Sequence, residues 1–596
     1  MSFDKEIESL LIQVEKPARY TGGEYNTPDV GKPAVVRVCM CFPDLYEVGM
    51  SNLGIRILYH MLNVESDVVA ERCFAPHTDM GGLLKEKNLP LFSLETRKPL
   101  KEFDIIGISV QFELLYTNIL YMLDLAKIPF YASERGEEYP LIIGGGPCSV
   151  NPEPFADFFD IIVIGDGEDA MTELVRLYKA HKERGYSKSA YLDAAKNIEG
   201  VYAPSHYKAE RAGRFMAIGA DKIVRQTYVR DFDRAYFPVD MLVPNIEAVH
   251  DRPVLELFRG CPNGCRFCQA GFYYRPIRNR SADNIITQAE KTINATGFEE
   301  ISLSSLSSSD YKDIYAVIDR LSAFSDSKRV NLSLPSLRMD SFKGDMAAKS
   351  RLCSLTFAPE AGTERLRDVI NKNITDEDIR STLNEAFDAG YSSVKLYYML
   401  GLPTENQADL DGIKQTVLNI RSDYYLKKRK RPLSVTVSAA VFVPKPLTPF
   451  QWEAHIDKDT IVKRQNYLKE ALKIKGVKFN WHDTDTARLE TALARGDRRM
   501  SDVIVAAYSK GCKFDSWSEH IRYDLWLEAF AETGTDINAY LDEIPVDTRL
   551  PWDFIEFFVS KRHLISERDK ALSGKATLSC IKGCRGCSDI PGMCVL

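Results

Sequence analysis

Short apolar runs of strand length that keep alternating with helix-length amphipathic segments constrain this chain more than any other feature. VVRVCMCF (Val35 to Phe42) precedes a helix candidate from Asn52 to Leu62, and FDIIGISV (Phe103 to Val110) precedes an amphipathic stretch to about Ala126. YPLIIGGG (Tyr139 to Gly146) and FDIIVIGDGE (Phe159 to Glu168) follow, the second leading into another helix. Runs of buried apolar residues separated by helices predict a Rossmann-like parallel sheet covered on both faces, with a ligand crevice beyond the C-terminal ends of its strands. After short proline-containing pieces the alternation resumes at VLELF (Val254 to Phe258) and continues through ISLSSL, VNLSLPSL, CSLTFAPE, SVKLYYML and SVTVSAAVFV. Helical segments such as Asp283 to Asn294, Thr375 to Ala389 and Leu410 to Arg421 lie between them, a pattern that predicts a partial TIM-like barrel. The chain is therefore read as α/β, with an arm and first domain over 1–200, a bridging segment over 201–250, a barrel over 251–460 and a mostly helical, cysteine-containing region over 461–596.

A length of 596 residues exceeds what one core organises. With 77 basic and 84 acidic residues the net charge is only -7, so there is no global electrostatic footprint for nucleic acid or membrane, although a local basic groove would still accommodate RNA. The opening MSFDKEIESLLIQVEKPARY is acidic where a secretory signal is basic, and no run of about 18 apolar residues occurs, so a cytoplasmic protein without a membrane span is expected. Thirteen cysteines, an odd number with two tight groups, fit metal ligation in a reducing compartment better than a disulfide framework.

The first group, FRGCPNGCRFCQAG, spaces Cys261, Cys265 and Cys268 so that one loop can fold three thiolates around an iron–sulfur cube. Three ligands leave one iron open to a reacting molecule. A zinc site is the main alternative but asks for a fourth ligand, with His250 the nearest histidine, and unliganded cysteines are the third reading. The tail SCIKGCRGCSDIPGMC repeats the spacing at Cys580, Cys584 and Cys587 and adds Cys594. Four thiolates can fill an auxiliary iron–sulfur cluster or a zinc site, so this set is not the one with a vacant corner. Cys39, Cys41, Cys73, Cys148, Cys353 and Cys512 read as scattered core or loop thiols, with Cys148 set apart by its place after GGGP.

CxxxCxxC after a first barrel strand, with Phe267 just before the third cysteine, resembles the radical S-adenosylmethionine (SAM) superfamily. The resemblance implies a [4Fe-4S] cluster whose vacant iron is chelated by the methionine end of SAM. It also implies one-electron cleavage to a 5'-deoxyadenosyl radical, fed by a low-potential donor such as ferredoxin or flavodoxin. CRFCQAGFYYRPIRNRS, EEISLSSLSSSDY, FAPEAGTERLRDVINK, VKLYYMLGLPTE and FVPKPLTPFQW look like successive strand ends of the subgroup that carries an N-terminal cobalamin-binding-type domain. From about residue 15 to 596 the chain is similar to the B12-binding-domain radical SAM protein family, a name that describes domains and not a reaction.

The resemblance places Glu299 and Glu300 near the methionine amine, although only Gly297 stands where paired glycines are usual, and it places Glu360, Arg365 and Arg367 near the polar groups of SAM. Solvated helix positions are the alternative for the two arginines, and Thr363 is read as a helix cap. Lys395 interrupts an apolar run and either reaches inward or points out. His482, flanked by Trp481 and Asp483, is the acid–base candidate, so Glu360, Lys395 and His482 form the catalytic set, with a purely structural histidine as the alternative. In the first domain Ser109, Gly144, Gly145, Gly146, Gly165 and Gly167 are the cobalamin-side candidates, although tight turns explain such glycines equally well. The loop CFPDLYEVGMSNLG has no histidine, so an axial-ligand motif is absent. With cobalamin the leading reaction is methyl transfer; without it, another radical modification of RNA, a peptide or a metabolite. The run Lys427 to Arg431 and Arg275, Arg278 and Arg280 are candidates to meet phosphate. A metal-stapled structural or regulatory protein is the non-enzymatic alternative.

Overall fold

The computed structural model describes residues 3–219, 221–333, 339, 355–427, 429, 431–588 and 594. Its first sheet contains β1 (Val36–Phe42), β2 (Val68–Phe74), β3 (Ile105–Ser109), β4 (Leu141–Gly145), β5 (Ile161–Val163) and β6 (Val201–Tyr202), in the order β2-β1-β3-β4-β5-β6. The first five are parallel, and β6 runs antiparallel to β5. Because the chain moves outward in opposite directions from β1, a crevice opens at the C-terminal ends of β1 and β3.

Alternation within β1 explains how both faces are buried. Val36, Val38, Met40 and Phe42 share a core with α1 (Leu53–Val64) and the helix over Gly167–Glu183, whereas Cys39 and Cys41 join the opposite core with the helix over Tyr116–Leu125. Asn52 starts α1 by accepting a hydrogen bond from the Ile55 amide at 3.0 Å.

The middle region has two parallel sheets. One holds β7 (Val254–Glu256), β8 (Glu300–Ser304) and β9 (Asn331–Ser333); the other holds β10 (Leu355–Glu360), β11 (Ser393–Leu400), β12 (Ser434–Val441) and β13 (Val477–Trp481). Within each sheet helices join consecutive strands, as parallel pairing requires. In β11 Val394, Leu396, Tyr398 and Leu400 are buried under the helices over Asp376–Asp388 and Gln407–Leu426, while Ser393, Lys395, Tyr397 and Met399 take the other face. β13 is a strand inside the region past 460 that was read as mostly helical. VKFNW is a half-exposed edge strand without a long apolar run, so its sequence signal is weak. Of VNLSLPSL only Asn331–Ser333 is a described strand, and Cys353 lies outside the described residues.

The last region is largely helical and folds back over the first sheet. Helices Thr484–Ala494, Met500–Ser509 and Tyr523–Glu532 bury Leu489, Ile504, Trp526 and Phe530 in the core that contains Cys39 and Cys41. The bridging segment is bound to the same region, since Val224–Arg225 pairs in parallel with Ile555–Glu556. No described helix is long and apolar enough to cross a membrane.

Candidate active site between two sheets

β7 delivers the cysteine loop to the C-terminal edge of its sheet. Gly260 makes this turn at φ +89°, and a Cβ there would press on the Ile277 Cα and the Pro276 and Tyr274 carbonyls at 3.0 Å. The loop is pinned from beneath by Arg266, a wholly buried side chain that donates to the Asp368, Val369 and Lys575 carbonyls and to the Glu567 carboxylate. Asn371 adds a bond to the Gly264 carbonyl at 3.0 Å. Cys261 is buried, and Cys265 and Cys268 are partly exposed.

The three thiols lie within electrostatic reach of one another. Burial, then Cys265 and Cys268, push the Cys261 thiol up to about 12; burial, then Cys265, push Cys268 up to about 11. Cys261 and Cys268 therefore stay protonated until a cation takes them as thiolates. Among the described residues no three His, Cys, Asp or Glu side chains converge on one ion position. Three thiols on one loop are the kind of donor set a cube takes, with each thiolate on its own iron.

Two charged side chains stand beside it. Glu360 ends β10 at a break in register with β11 and has φ +68°, a left-handed conformation that costs a non-glycine residue about 1–3 kcal/mol. Burial raises its carboxyl pKa, opposed by the Lys372 ammonium at 3.2 Å. Lys372 also sits 6.0 Å from the Phe267 ring, and both charges reach Cys268. Lys372 was not visible as a site residue in sequence, because only the fold brings it beside Glu360. Lys395 shares its face of β11 with Met399, and Met399 packs in the apolar cluster that includes Phe267. Lys395 therefore faces inward, its ammonium 4.6 Å from the Tyr397 ring.

Other expected residues are placed elsewhere. Glu299 and Glu300 are at the N-terminal end of β8, opposite the cysteine loop, and Glu300 pairs with Arg252 at 2.7 Å. The C-terminal end of that strand instead presents Ser304 and Ser305. Arg365 is half-exposed and bound to Asp409 and Thr404, and Arg367 is buried among the Ala361 and Ile374 carbonyls and Asp376. His482 is exposed; Trp481 stacks on Phe479 and Asp483 caps the next helix, so neither neighbour orients the imidazole. Arg275, Arg278 and Arg280 are buried, so they form no surface phosphate patch; of the run Lys427 to Arg431, Lys427 and Arg429 pair with Asp388, and Lys428 and Lys430 lie outside the described residues. Thr363 does cap its helix, accepting from the Leu366 amide.

A cavity of about 400 Å³ lies between the first sheet and the cysteine loop and opens to solvent. Ser109, Gly144, Gly145, Gly146, Gly165 and Gly167 all line it, and Glu256, Arg259, Gly260, Ser304 and Ser305 close the other side. Three of these glycines owe their identity to packing within the chain. A Cβ would strike the Phe159 ring at Gly144, the Val110 carbonyl at Gly146 and the Thr227 carbonyl at Gly165. At Gly145 and Gly167 a Cβ would meet Val163 and Leu58 at ordinary contact distances, so packing within the chain does not demand glycine there. An ionic joint links the halves: Arg259, one step before Gly260, reaches Glu168 at 2.7 Å and Asp166 at 3.4 Å across it and Glu256 at 3.0 Å on its own side, and Arg278 also binds Asp166. Neither arginine was singled out as a joint in sequence.

The loop of three thiols stands at a parallel strand end, and Gly260, the residue before it, lines a cavity that the first sheet completes. Residues 255–417 match the Radical SAM superfamily, and residues 54–204 match the family described as Radical SAM proteins, N-terminal. The chain is a radical SAM enzyme, which sets aside the non-enzymatic alternative. It is 27% identical over 511 residues to an uncharacterized protein of Methanocaldococcus jannaschii, covering 85% of this chain and 99% of that one. It is 21% identical over 305 residues to the threonylcarbamoyladenosine tRNA methylthiotransferase MtaB of Aquifex aeolicus, covering 50% of this chain and 64% of the relative. Among solved structures, the cobalamin-dependent S-adenosylmethionine radical enzyme OxsB, with aqua-cobalamin and S-adenosylmethionine bound, is similar at TM-score 0.46 and 14% identity, covering 86% of this chain and 72% of that one.

Proposed function

We propose that this protein cleaves SAM reductively at a [4Fe-4S] cluster held by Cys261, Cys265 and Cys268, and that the adjoining cavity takes a cobalamin used in methyl transfer. The observation that carries the reading is the cavity itself: its wall runs from the strand-end turns of the first sheet to Gly260, the residue before Cys261. The cluster supplies one-electron cleavage of the sulfonium, and a methylated cobalamin supplies the methyl group.

This chain's residues bind and position. Cys261, Cys265 and Cys268 hold the cluster, and the buried Arg266 fixes the loop between them. The Lys372 ammonium offers a donor to a carboxylate and Glu360 an acceptor to an ammonium, the two charges of an amino acid moiety. Lys395, facing inward from β11, is the proton-handling candidate on the substrate side. Gly145 and Gly167 leave the wall low where a broad planar ligand would lie, and Ser109, already accepting from Gln111 at 2.7 Å, offers a polar contact at the rim.

One observation favours the cobalamin-independent alternative. Among the described residues no histidine lines the cavity, and three of its glycines are explained by internal packing. One experiment separates the readings. Anaerobically reconstituted protein is mixed with hydroxocobalamin, passed through gel filtration and scanned in the visible range. The corrin spectrum is expected to travel with the protein and to be lost from Gly145→Phe, whose side chain enters the cavity. Failure of wild-type protein to retain corrin leaves radical modification of RNA, a peptide or a metabolite without cobalamin.

A further inference from the structure

The C-terminal cysteines return to the first cysteine loop. The Cys580 amide donates to the Pro262 carbonyl at 2.9 Å, and the Ser579 hydroxyl reaches the same oxygen at 3.3 Å. Thr577 is held by Asn371, the residue that also bonds Gly264. Between the two thiol sets lies Arg275, only 3% exposed. Its Nη2 donates to the Asn263 carbonyl at 3.0 Å, its Nε is buried without a hydrogen-bond partner, and Cys261, Cys580 and Cys587 surround it within electrostatic reach. Cys594 reaches the same place, beside the Ile277 backbone. A guanidinium in so dry a position is costly unless anions flank it. Cubes ligated by thiolates are such anions.

Resting on the assignment of Cys261, Cys265 and Cys268 to the SAM-cleaving cluster, we propose that Cys580, Cys584, Cys587 and Cys594 hold a second iron–sulfur cube. Its role is to relay single electrons from an acidic, low-potential carrier protein to the first cube, with Arg275 as the shared counter-charge. Exposure runs in the required order: Cys584 and Cys594 are exposed, Cys580 is half-buried, and Cys587 and Cys261 are buried. Around Cys584 the surface combines exposed Leu578 and Ile581 with exposed Lys575 and Lys582, an apolar and basic patch that complements an acidic carrier. In each transfer the reduced carrier loses one electron, the outer cube gains it and then returns to its oxidised state as the inner cube is reduced. No bond is made or broken and no proton moves.

The test uses the full chain, reconstituted anaerobically. Wild-type protein is expected to hold about eight irons and the Cys580→Ser, Cys584→Ser, Cys587→Ser triple variant about four. Reduced wild type should give an electron paramagnetic resonance signal broadened by coupling between two cubes, and the triple variant a single uncoupled signal that still responds to SAM. Reduced flavodoxin should reduce the inner cube rapidly in wild type and lose that ability with the triple variant, while a small titanium reductant works on both. Arg275→Gln, which keeps every cysteine, should keep the iron and shift both midpoint potentials to more negative values. Full iron in the triple variant, zinc in the tail of wild type, an uncoupled wild-type signal, or equal reduction of both proteins by flavodoxin overturns the proposal. Loss of the SAM-responsive signal from wild type would instead overturn the assignment of the first cluster.

Discussion

Glu360 ends β10 in a left-handed backbone conformation, with its carboxyl within electrostatic reach of Cys268. His482 stood out because of its sequence neighbours, but Trp481 and Asp483 are engaged with Phe479 and a helix terminus. Asp515 shows a residue effect that sequence does not reveal. Burial raises its pKa to about 6, opposed by the Thr117 hydroxyl at 2.6 Å and by Trp526. A carboxyl raised in this way stabilises the fold fully below its unfolded value near pH 4 and stops doing so as pH rises through about 6, a span worth about 3 kcal/mol. Urea midpoints measured between about pH 4 and about pH 7 should fall along this range and flatten in Asp515→Asn; an unchanged slope in the variant would assign the dependence to other groups.

At the scale of elements, helices with side-chain caps were read closely. Asn52 opens α1, and Thr375 forms a capping box with Asp378 at the start of the helix over Asp376–Asp388. β13 was missed because an edge strand needs only one modest face, and VKFNW has no longer apolar run to announce it. The docking of the tail was also hidden, since its anchors lie hundreds of residues apart: Arg266 on Glu567 and the Lys575 carbonyl, Asn371 on Thr577. Arg266→Met removes the buried cation beside Glu567 and is expected to cost about 3 kcal/mol. Hydrogen exchange should then rise selectively over 575–588, along with loss of iron; exchange that rises evenly across the chain would mean that Arg266 serves the general fold and not this anchor.

Across the whole molecule, the order of domains followed from the alternation of strands and helices, but their joint did not. Asp166 and Glu168 were legible as a turn after an apolar strand, whereas their partners Arg259 and Arg278 come from beyond the bridging segment. Burial works to raise the Asp166 carboxyl, yet Arg259 and Arg278 hold it below the usual carboxylate range. Asp166→Ala strips both arginines of a shared anion and is expected to cost about 3–5 kcal/mol. Calorimetry should show one transition in wild type resolving into two in the variant, as the first sheet separates from the cysteine-bearing region; a single transition at unchanged temperature would show that the helices over Thr484–Glu532 hold the halves together without this joint.

The central claim is that the three-cysteine loop holds a cluster able to cleave SAM. Anaerobic protein with a full complement of iron is incubated with SAM and a low-potential reductant, and 5'-deoxyadenosine is quantified. Wild type should form it, and Cys261→Ala, Cys265→Ala and Cys268→Ala should each form none. Fully loaded wild type that yields no 5'-deoxyadenosine, or a variant that still yields it, contradicts the account.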